Sequence, residues 1–272
     1  MASFTALQHY WRCGRRWAWY AQGWQLRDKP EPLQVGSLVH KMLAEHYRTQ
    51  KGPDAVLAEA WHAEAEEPGK VAAIIQRASK LFQGYMDIRS GVYEPLIFEG
   101  VPLVEATFLQ TAPGKTLVKG VIDLVATIQP DGILAVVDFK TGTRTNMDWL
   151  RHSRQLELYA YLLHLNGVKP DLAVYEIIND DMIVSFPFKP DLDRGCWLAG
   201  KIINLARISC ESCLDEPHFL YDCPYCPYFR PCHVLENGGD PEVILEQLYT
   251  RVGIAGESDN LETGTGEETH DS

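Results

Sequence analysis

Residues 116–140, TLVKGVIDLVATIQPDGILAVVDFK, decide the fold prediction. The segments 116–128 and 133–140 are rich in Val, Ile, Leu and Thr, which are typical of β-strands. The intervening QPDG, residues 129–132, is a strong turn signal. The two strands are therefore predicted to pair as a hairpin.

Three ionisable side chains gather on this hairpin. Side chains alternate along a strand, so Asp138 and Lys140 share a face, and the turn brings Asp123 close to Asp138. Two neighbouring carboxylates repel each other, and a divalent cation such as Mg²⁺ or Mn²⁺ between them would relieve that repulsion. Lys140 could then orient or help to deprotonate a water and stabilise charge on a phosphate. The alternative is a surface hairpin with a simple Asp–Lys ion pair.

The flanking sequence predicts a mixed α/β domain with a helical entry. Ser3 is a candidate cap for the first helix, and Pro30 and Pro32 mark a break after it. Apolar periodicity predicts the remaining elements. The predicted helices are 4–22, 36–47, 54–65, 71–88, 151–165 and 191–209, and the further strands are 102–110, 172–178 and 182–188. Strands interleaved with helices favour an α/β sheet flanked by helices.

Composition sets limits on the class of protein. The chain has 272 residues, 46% of them hydrophobic, and a formal net charge of −12. That length allows one large domain or two small ones, and the apolar content excludes wholesale disorder. No apolar run reaches the roughly 18–20 residues that cross a bilayer, and no secretory signal is visible. We therefore expect a cytoplasmic, intracellular protein without a membrane partner.

The charge is unevenly distributed along the chain. Residues 253–272 carry six acids and no Lys or Arg, and are rich in Gly, Ser and Thr. This composition predicts a disordered acidic tail after a folded domain over residues 1–240. The first thirty residues instead carry a local net charge of +4, with six interleaved aromatics. Basic and aromatic residues together suit a nucleic-acid strand. The alternative is a helix with an aromatic core face and a solvated Arg face.

Seven cysteines in a chain without an export signal favour a metal site over disulfides. Cys223, Cys226 and Cys232 lie in CPYCPYFRPC, and two cysteines two residues apart in a Pro-bearing turn can converge on one metal. Three thiolates leave a tetrahedral or cubane site one ligand short. The fourth ligand could be Cys13, Cys210 or Cys213. A zinc site built from the Cys210/Cys213 and Cys223/Cys226 pairs is a rival by spacing alone.

The ordered motifs resemble the PD-(D/E)XK nuclease superfamily. More narrowly, they resemble its RecB-like exonuclease branch with an iron–sulfur cluster, as in AddB-type nuclease domains and CRISPR-associated RecB-like exonucleases. The resemblance spans roughly residues 3–233, with one departure, because Gly14 stands where a Pro commonly follows the first cysteine. The motifs are, in order, Cys13 in YWRCGRRWAWY, Gly36-x3-His40, Gly120-x2-Asp123 with Asp138-x-Lys140, Gln155-x3-Tyr159, and Cys223-x2-Cys226-x5-Cys232.

The resemblance implies a role for each motif. It implies a restriction-endonuclease-like mixed sheet whose catalytic Mg²⁺ or Mn²⁺ is held by His40, Asp123, Asp138 and the backbone carbonyl of Phe139. Lys140 would be the essential basic residue, and Gln155 and Tyr159, four apart on one helix face, would point at the site. Glu105, on the preceding strand, is a candidate further carboxylate.

The resemblance also implies a [4Fe–4S] cluster and a nucleic-acid path. Cys13, Cys223, Cys226 and Cys232 would hold the cluster and clasp the N-terminal helix to the C-terminal segment. The candidate DNA-binding residues are Arg12, Arg15, Arg16, Trp17, Arg144, Arg151 and Arg154.

The resemblance predicts a metal-dependent DNA exonuclease that acts on single strands or free ends, in recombination, repair, phage or CRISPR-related processing. The chain has no G-x4-G-K-[ST] motif, so a helicase partner would be a separate chain. The alternative is a catalytically inactive DNA-binding or adaptor subunit that carries an iron–sulfur cluster or zinc. Sequence does not give the polarity, the preference for DNA over RNA, the pathway or the oligomeric state.

Overall fold

The computed structural model describes residues 2–66, 69, 71–111, 117–142, 150, 153–214 and 223–252. The predicted acidic tail, residues 253–272, lies outside this part of the chain. The chain divides into two compact units. The larger unit comprises Ala2–Gln8 and Asp28–Ile208, and the smaller unit combines His9–Arg27 with the chain from Ser209 onward.

The strands are β1 Ala2–Ser3, β2 Trp24–Leu26, β3 Tyr93–Pro95, β4 Ile97–Phe98, β5 Val101–Pro102, β6 Val104–Thr111, β7 Leu117–Ile128, β8 Ile133–Thr141, β9 Leu172–Ile178, β10 Ile183–Phe188 and β11 Tyr249–Arg251. The helices are α1 Phe4–Arg12, α2 Gly14–Ala21, α3 Glu31–Thr49, α4 Asp54–Glu66, α5 Ala72–Arg89, α6 Gln155–Leu165, α7 Leu192–Leu205, α8 Cys210–Leu214, α9 Phe229–Glu236 and α10 Pro241–Leu248.

The larger unit is built on a mixed seven-stranded sheet centred on β7. β7 pairs antiparallel with β6 and β8, β9 lies parallel to β8, and β10 returns antiparallel to β9. The parallel pair is connected through α6, as a parallel pair requires a crossover. The predicted hairpin and the expected mixed sheet flanked by helices are confirmed.

Strands β7 and β8 stop pairing partway along their length, and this opening is called the strand fork. The antiparallel ladder between β7 and β8 runs from Ile128↔Ile133 to Leu124↔Val137 and ends there. Beyond the fork, β1 pairs with β7 at Val118 and Lys119. Asp123 and Asp138 are the first residues past the last rung, so both carboxylates lie where the pairing between β7 and β8 has stopped.

One face of the sheet packs against α3 and α5. Alternation places Val137 and Phe139 of β8 on this face, where they join a core with Val39, Leu43 and Ile75. A buried polar group interrupts this apolar region. Glu176 is fully buried, and it accepts hydrogen bonds from Tyr93 Oη at 2.5 Å and Ser185 Oγ at 2.6 Å. These bonds offset the cost of burying the carboxylate.

The N-terminal helix differs from its prediction. Ser3 Oγ accepts a hydrogen bond from the Ala6 amide at 3.3 Å, which confirms the predicted cap. The single helix predicted over 4–22 is wrong, because Cys13 has extended backbone angles, φ −169° and ψ 128°, and separates α1 from α2. Glycine follows it, and Gly14 begins α2 in close contact with α8, since an added Cβ would lie 3.4 Å from Cys213 Cβ.

The smaller unit joins segments that lie far apart in the sequence through its own core. Trp19, Trp24, Tyr228, Leu245 and Tyr249 form a buried and mainly aromatic hydrophobic cluster. β2 and β11 pair as a two-stranded sheet, and Tyr228 Oη donates to the Trp24 carbonyl at 2.5 Å. The N- and C-terminal segments therefore meet through packing and hydrogen bonds.

Among the residues that the structure describes, no helix combines the length and apolar character needed to cross a membrane.

Close packing of α6 against α7 gives a stability prediction at Gly195. A Cβ there would lie 2.3 Å from the Glu157 carbonyl oxygen and 2.6 Å from Tyr161 Cβ. We expect Gly195→Ala to lower the free energy of unfolding by about 2 kcal/mol, because backbone must move. Gly200→Ala on the same helix is the matched control, since no atom lies within 4 Å of its added Cβ. It should raise stability by about 0.5–1 kcal/mol. Equal urea midpoints for the two variants would contradict the packing argument.

Candidate active site

Three elements of the larger unit bring His40, Glu105 and Asp123 together. Each offers one ligand atom, and these atoms lie within 4.8 Å of one another. His40 Nδ1 is 3.4 Å from Asp123 Oδ2 and 4.0 Å from Glu105 Oε1. The donors come from α3, β6 and β7, so the group forms only when the helix packs over the sheet. One imidazole and two carboxylates form a donor set suited to a divalent cation.

Glu105 reaches this group through an unusual backbone conformation. Its φ is +48°, in the left-handed region that non-glycine residues rarely adopt. The β6–β7 ladder pairs Val104 with Leu124 and Ala106 with Ile122, so Glu105 and Asp123 form no regular rung between them. This local irregularity sets Glu105 opposite Asp123, and it is the type of strain that recurs at functional sites.

Asp123 also completes the backbone pairing at the fork. Its Oδ2 accepts a hydrogen bond from the Phe139 amide at 2.8 Å, at the place where the ladder has ended. The carboxylate thus satisfies an amide that would otherwise lack its strand partner. The same bond fixes Asp123 next to the Asp138–Phe139–Lys140 segment. Sequence reasoning predicted this proximity from the hairpin.

A chain of polar contacts continues from Asp138 to α6. Lys140 Nζ lies 2.6 Å from Asp138 Oδ2 and donates to Gln155 Oε1 at 3.1 Å. Gln155 Nε2 in turn donates to Tyr159 Oη at 2.8 Å. The amide orientation of Gln155 follows from this network, since its two ends face a donor and an acceptor. The structure therefore brings together all four side chains predicted for this part of the site.

Burial and mutual repulsion shift the pKa values of the acids. Burial raises the pKa of Asp123 well above its usual range, and the charges of Asp138 and Glu105 raise it further. Burial also raises the pKa of Glu105, and Arg48 opposes that shift. The pKa of His40 is lowered, chiefly by burial, so its imidazole is neutral at pH 7 and able to ligate a metal.

The residues fit a divalent cation. Among the described residues, Asp138 Oδ2 is buried without a hydrogen-bond partner, although Lys140 neutralises its charge as an ion pair. The electrostatic repulsion between Asp123, Asp138 and Glu105 would be relieved by a cation. The group of neighbouring metal-ligand atoms consists of His40, Glu105 and Asp123, and it does not include Asp138. Phe139 supplies a backbone carbonyl next to these acids, and its ring contacts the His40 ring edge-on at 6.1 Å between centroids.

Three residues in or beside the site carry no sequence signal of their own. Tyr175 pairs with Asp138 across β8 and β9, and Lys140 Nζ lies 5.8 Å from its ring centroid. Tyr175 Oη donates to Ser153 Oγ at 3.2 Å, just before α6 begins. Arg48 donates to the Val104 carbonyl at 3.2 Å, next to Glu105. Only tertiary packing reveals these positions, because each contact joins residues distant in sequence.

Two motif glycines are explained by close approaches. A Cβ at Gly36 would lie 2.5 Å from Thr141 Oγ1, so this glycine lets α3 approach the end of β8 and carry His40 to the site. A Cβ at Gly120 would lie 3.2 Å from two ring atoms of Tyr159. The glycine of Gly120-x2-Asp123 therefore makes room for the tyrosine of Gln155-x3-Tyr159.

The cysteines predicted to hold the iron–sulfur cluster all belong to the smaller unit. The Cys226 amide donates to the Cys223 carbonyl at 3.0 Å in a tight turn, and no cysteine is in a disulfide. Cys13 and Cys232 are close enough to contribute to raising the pKa of the Cys226 thiol, whose main cause is burial. The Cys13 and Cys232 thiols therefore lie within electrostatic range of Cys226.

The described cysteines do not form a compact mononuclear site. A tetrahedral zinc with bonds of about 2.3 Å holds its sulfurs about 3.8 Å apart. Among the described residues, no three cysteine sulfurs lie within 4.8 Å of one another. Cys213 of the rival zinc set is buried against Gly14. Neither the zinc set nor the cluster set is preformed at bonding distance.

The predicted DNA-binding residues have different environments. Arg15 is 4% exposed, its Nε donates to the Leu214 carbonyl at 2.9 Å, and its Nη1 donates to Cys232 Sγ at 3.3 Å and pairs with Glu236. Trp17 is also buried. Both side chains therefore support the fold of the smaller unit, and the expectation that they contact DNA does not suit their positions.

The other predicted contacts remain at or near the surface. Arg12 is exposed, and Arg16 is half-buried with its Nε donating to His9 Nδ1 at 2.9 Å. Burial and the charges of Arg16 and Arg12 lower the pKa of His9 to about 4, so it accepts this bond as a neutral imidazole. Arg154 pairs with Glu157 at 3.3 Å in the larger unit. Arg144 and Arg151 lie outside the described residues.

The strand fork, the Asp138–Lys140 pair and the His40–Glu105–Asp123 group form one site whose side chains suit a divalent metal. The family model of the PD-(D/E)XK nuclease superfamily matches residues 1–233. The chain therefore belongs to the PD-(D/E)XK nuclease superfamily. A search of curated proteins gives no match.

A solved structure supports the fold. A "Putative exonuclease" from Eubacterium rectale is similar with a TM-score of 0.54 and 17% identity, covering 83% of this chain and 86% of its own. A second solved structure, SSO0001, gives a TM-score of 0.36 at 18% identity, covering 71% of this chain and 82% of its own. At such identity the Eubacterium protein supports the restriction-endonuclease-like fold alone.

The Gly36 contact gives a test of how α3 positions His40. We expect Gly36→Ala to lower the rate of DNA cleavage by about tenfold, because the added methyl group displaces α3 and catalysis is sensitive to small shifts. A second substitution, Thr141→Ala, should restore most of the rate by removing the opposing atom. Gly84→Ala on α5 is the control, since its Cβ makes an ordinary 3.5 Å contact. The argument fails if the single and double variants cleave equally well.

Proposed function

We propose that this nuclease is a Mg²⁺- or Mn²⁺-dependent DNA exonuclease that hydrolyses phosphodiester bonds on single strands or at DNA ends. One observation carries the proposal, namely the meeting of the His40–Glu105–Asp123 group with the Asp138–Lys140 pair at the strand fork. The printed name of the Eubacterium structural neighbour, "Putative exonuclease", is consistent with this proposal. The proposed setting is intracellular DNA processing in recombination, repair, phage replication or CRISPR-related pathways. The proposed partner is a separate helicase or CRISPR protein.

Each residue of the site has a chemical task. A divalent cation, when bound, polarises the phosphate and acidifies a nearby water. His40, Glu105, Asp123, Asp138 and the Phe139 carbonyl are the proposed ligands. Lys140 supplies positive charge where the phosphate becomes more negative, and Gln155 holds its ammonium in place. Tyr159 fixes the far end of Gln155, and the Tyr175 ring supports Lys140 from the neighbouring strand.

The central test compares wild type with Asp138→Ala on linear and circular single-stranded DNA, with Mg²⁺, Mn²⁺ or chelator. We expect the wild type to degrade linear strands in a metal-dependent way and to spare circles, and the variant to be inactive. Asp131→Ala in the same hairpin is the control, because Asp131 is exposed in the turn. Cleavage of circles would reassign the enzyme as an endonuclease. DNA binding without cleavage would favour the inactive adaptor alternative.

We also propose that Cys13, Cys223, Cys226 and Cys232 hold a [4Fe–4S] cluster in the smaller unit. The electrostatic influence of Cys13 and Cys232 on Cys226 supports a shared ligand set. A cubane separates its thiolate ligands more widely than a single zinc ion does. The cluster would reinforce a contact between chain ends that the aromatic core already makes. A structural role follows, since linking distant segments restricts the unfolded chain.

Metal analysis after anaerobic purification distinguishes the two cysteine sets. We expect iron and sulfide, with broad absorbance near 400 nm that is lost in Cys13→Ser. Cys196→Ser is the matched control, because this exposed cysteine belongs to the larger unit. Zinc that is lost in Cys210→Ser and retained in Cys13→Ser would establish the rival zinc site and refute the cluster.

A further inference from the structure

A cavity opens directly beside the metal-binding group. It has a volume of about 750 Å³ and lies entirely within the larger unit, between α3, α4 and β6. His40, Glu105 and Asp123 form part of its wall. A molecule whose phosphate is bound at the metal group would therefore extend into this space. This inference rests on the proposed function and concerns which part of the substrate the enzyme recognises.

The size of the cavity suits one nucleotide. At about 30 Å³ per water molecule in the liquid, the volume corresponds to roughly two dozen waters. One nucleoside monophosphate is smaller than this volume, so it fits in the cavity together with solvent. The volume also lies within the range of about 300–1,000 Å³ that is typical of small-molecule sites. A phosphate group alone would leave most of it filled with solvent.

The walls offer both apolar and polar surface. The apolar part comes from Pro32, Leu33, Ala44 and Val56, and it includes Leu33, which is 62% exposed. Flat, weakly polar groups such as a base or a sugar suit this surface. Ser37 and Glu45, both on α3, add polar groups that can hydrogen-bond to base or sugar atoms. The wall therefore combines apolar surface that a base can contact with polar groups that can hydrogen-bond to a nucleoside.

Among the described residues, two cations line the cavity, and their surroundings differ. Lys41 Nζ lies 3.8 Å from Glu59 Oε1, so its charge is already paired. Arg48 donates to the Val104 carbonyl at 3.2 Å, which accounts for one of its five N–H donors. Its positive charge also opposes the rise in the pKa of Glu105, so it lies near the metal group. Arg48 is thus placed to bind a phosphate next to the one being cleaved.

We propose that this cavity binds the nucleoside adjacent to the scissile phosphate of the strand being cut, with Arg48 binding a neighbouring phosphate. A nucleoside bound in this cavity would hold its phosphate at the metal group. Ser37, one turn before His40 on α3, sets how much of the cavity is open. A tryptophan at this exposed position would fill the space without entering the core.

The test measures binding and needs no catalysis. Thymidine 5′-monophosphate is titrated calorimetrically into wild type, Ser37→Trp and Arg48→Gln in the presence of Ca²⁺. We expect both substitutions to weaken binding by about tenfold or more, the first by occlusion and the second by loss of a charged hydrogen bond. Gln76→Trp and Lys80→Gln, at exposed positions of α5 outside the cavity, are the matched controls and should bind like wild type. Inorganic phosphate should bind more weakly and be insensitive to Ser37→Trp.

The outcomes separate this proposal from the proposed function. If wild type cleaves DNA but Ser37→Trp binds the nucleotide as tightly as wild type, the cavity assignment is overturned and the nuclease stands. If the nucleotide binds in the cavity while no DNA is cleaved with either metal, the function fails and the cavity assignment stands. Equal affinity for phosphate and for the nucleotide would show that the nucleoside is not recognised, which also overturns the proposal.

Discussion

Lys140→Met is expected to lower the rate of DNA cleavage by about a hundredfold to a thousandfold. The substitution keeps the length of the side chain and removes the ammonium that lies 2.6 Å from Asp138 and 3.1 Å from Gln155. Removing one preorganised group that stabilises developing negative charge typically has an effect of this size. Single-turnover cleavage of a labelled linear strand at saturating Mg²⁺ measures the rate directly.

The experiment must distinguish a loss of catalytic rate from a loss of folding stability. Asp138 is 2% exposed, so removing its cationic partner leaves a buried charge and should destabilise the metal-free protein by about 3 kcal/mol. The double variant Asp138→Asn/Lys140→Met carries no such charge, and it should recover stability while remaining inactive. Lys169→Met in an exposed loop is the control for loss of a lysine. Activity of Lys140→Met within threefold of wild type would remove Lys140 from the catalytic machinery.

Periodicity predicted the parts of the site that depend on local geometry. The hairpin placed Asp123 beside Asp138, strand alternation placed Asp138 and Lys140 on one face, and helical spacing placed Gln155 and Tyr159 four residues apart. Each of these relations joins residues of one strand, one turn or one helix. Chain order then matched a known family, which supplied the role of His40 from a distant helix.

The remaining features depend on contacts that no local pattern encodes. Arg15 looked like a solvated cation, yet it pairs with Glu236, 221 residues away, and is buried. Glu105 joins the donor group through a left-handed backbone, which the residues around it do not signal. Tyr175 and Arg48 reach the site from other elements, so only the packed fold reveals them. The helix break at Cys13 is similar, because an extended residue there lets α2 pack in the smaller unit.

Asp123→Asn should abolish metal-dependent cleavage while making the metal-free protein more stable at neutral pH. The amide oxygen can still accept the hydrogen bond from the Phe139 amide, so the fork keeps its geometry. The substitution removes a buried negative charge that Asp138 and Glu105 repel. Loss of a charged ligand should weaken Mn²⁺ binding by about a hundredfold or more. Mutating residues that only hydrogen-bond to metal ligands already weakens metal affinity by about 10–100-fold.

The pH dependence of stability gives the same prediction an independent readout. The pKa of Asp123 is higher in the folded state than its ordinary value of 3.8, so the folded protein binds more protons between those two pKa values. The contribution of this group to stability is therefore fully present below pH 3.8 and is lost as the pH rises through the folded pKa. Urea unfolding in chelator should show wild-type stability falling through this window, with a smaller fall in Asp123→Asn. The turn variant Asp131→Asn should follow wild type. A wild-type stability that rises through the window, or an Asn variant that still binds Mn²⁺ tightly, would refute Asp123 as a strained metal ligand.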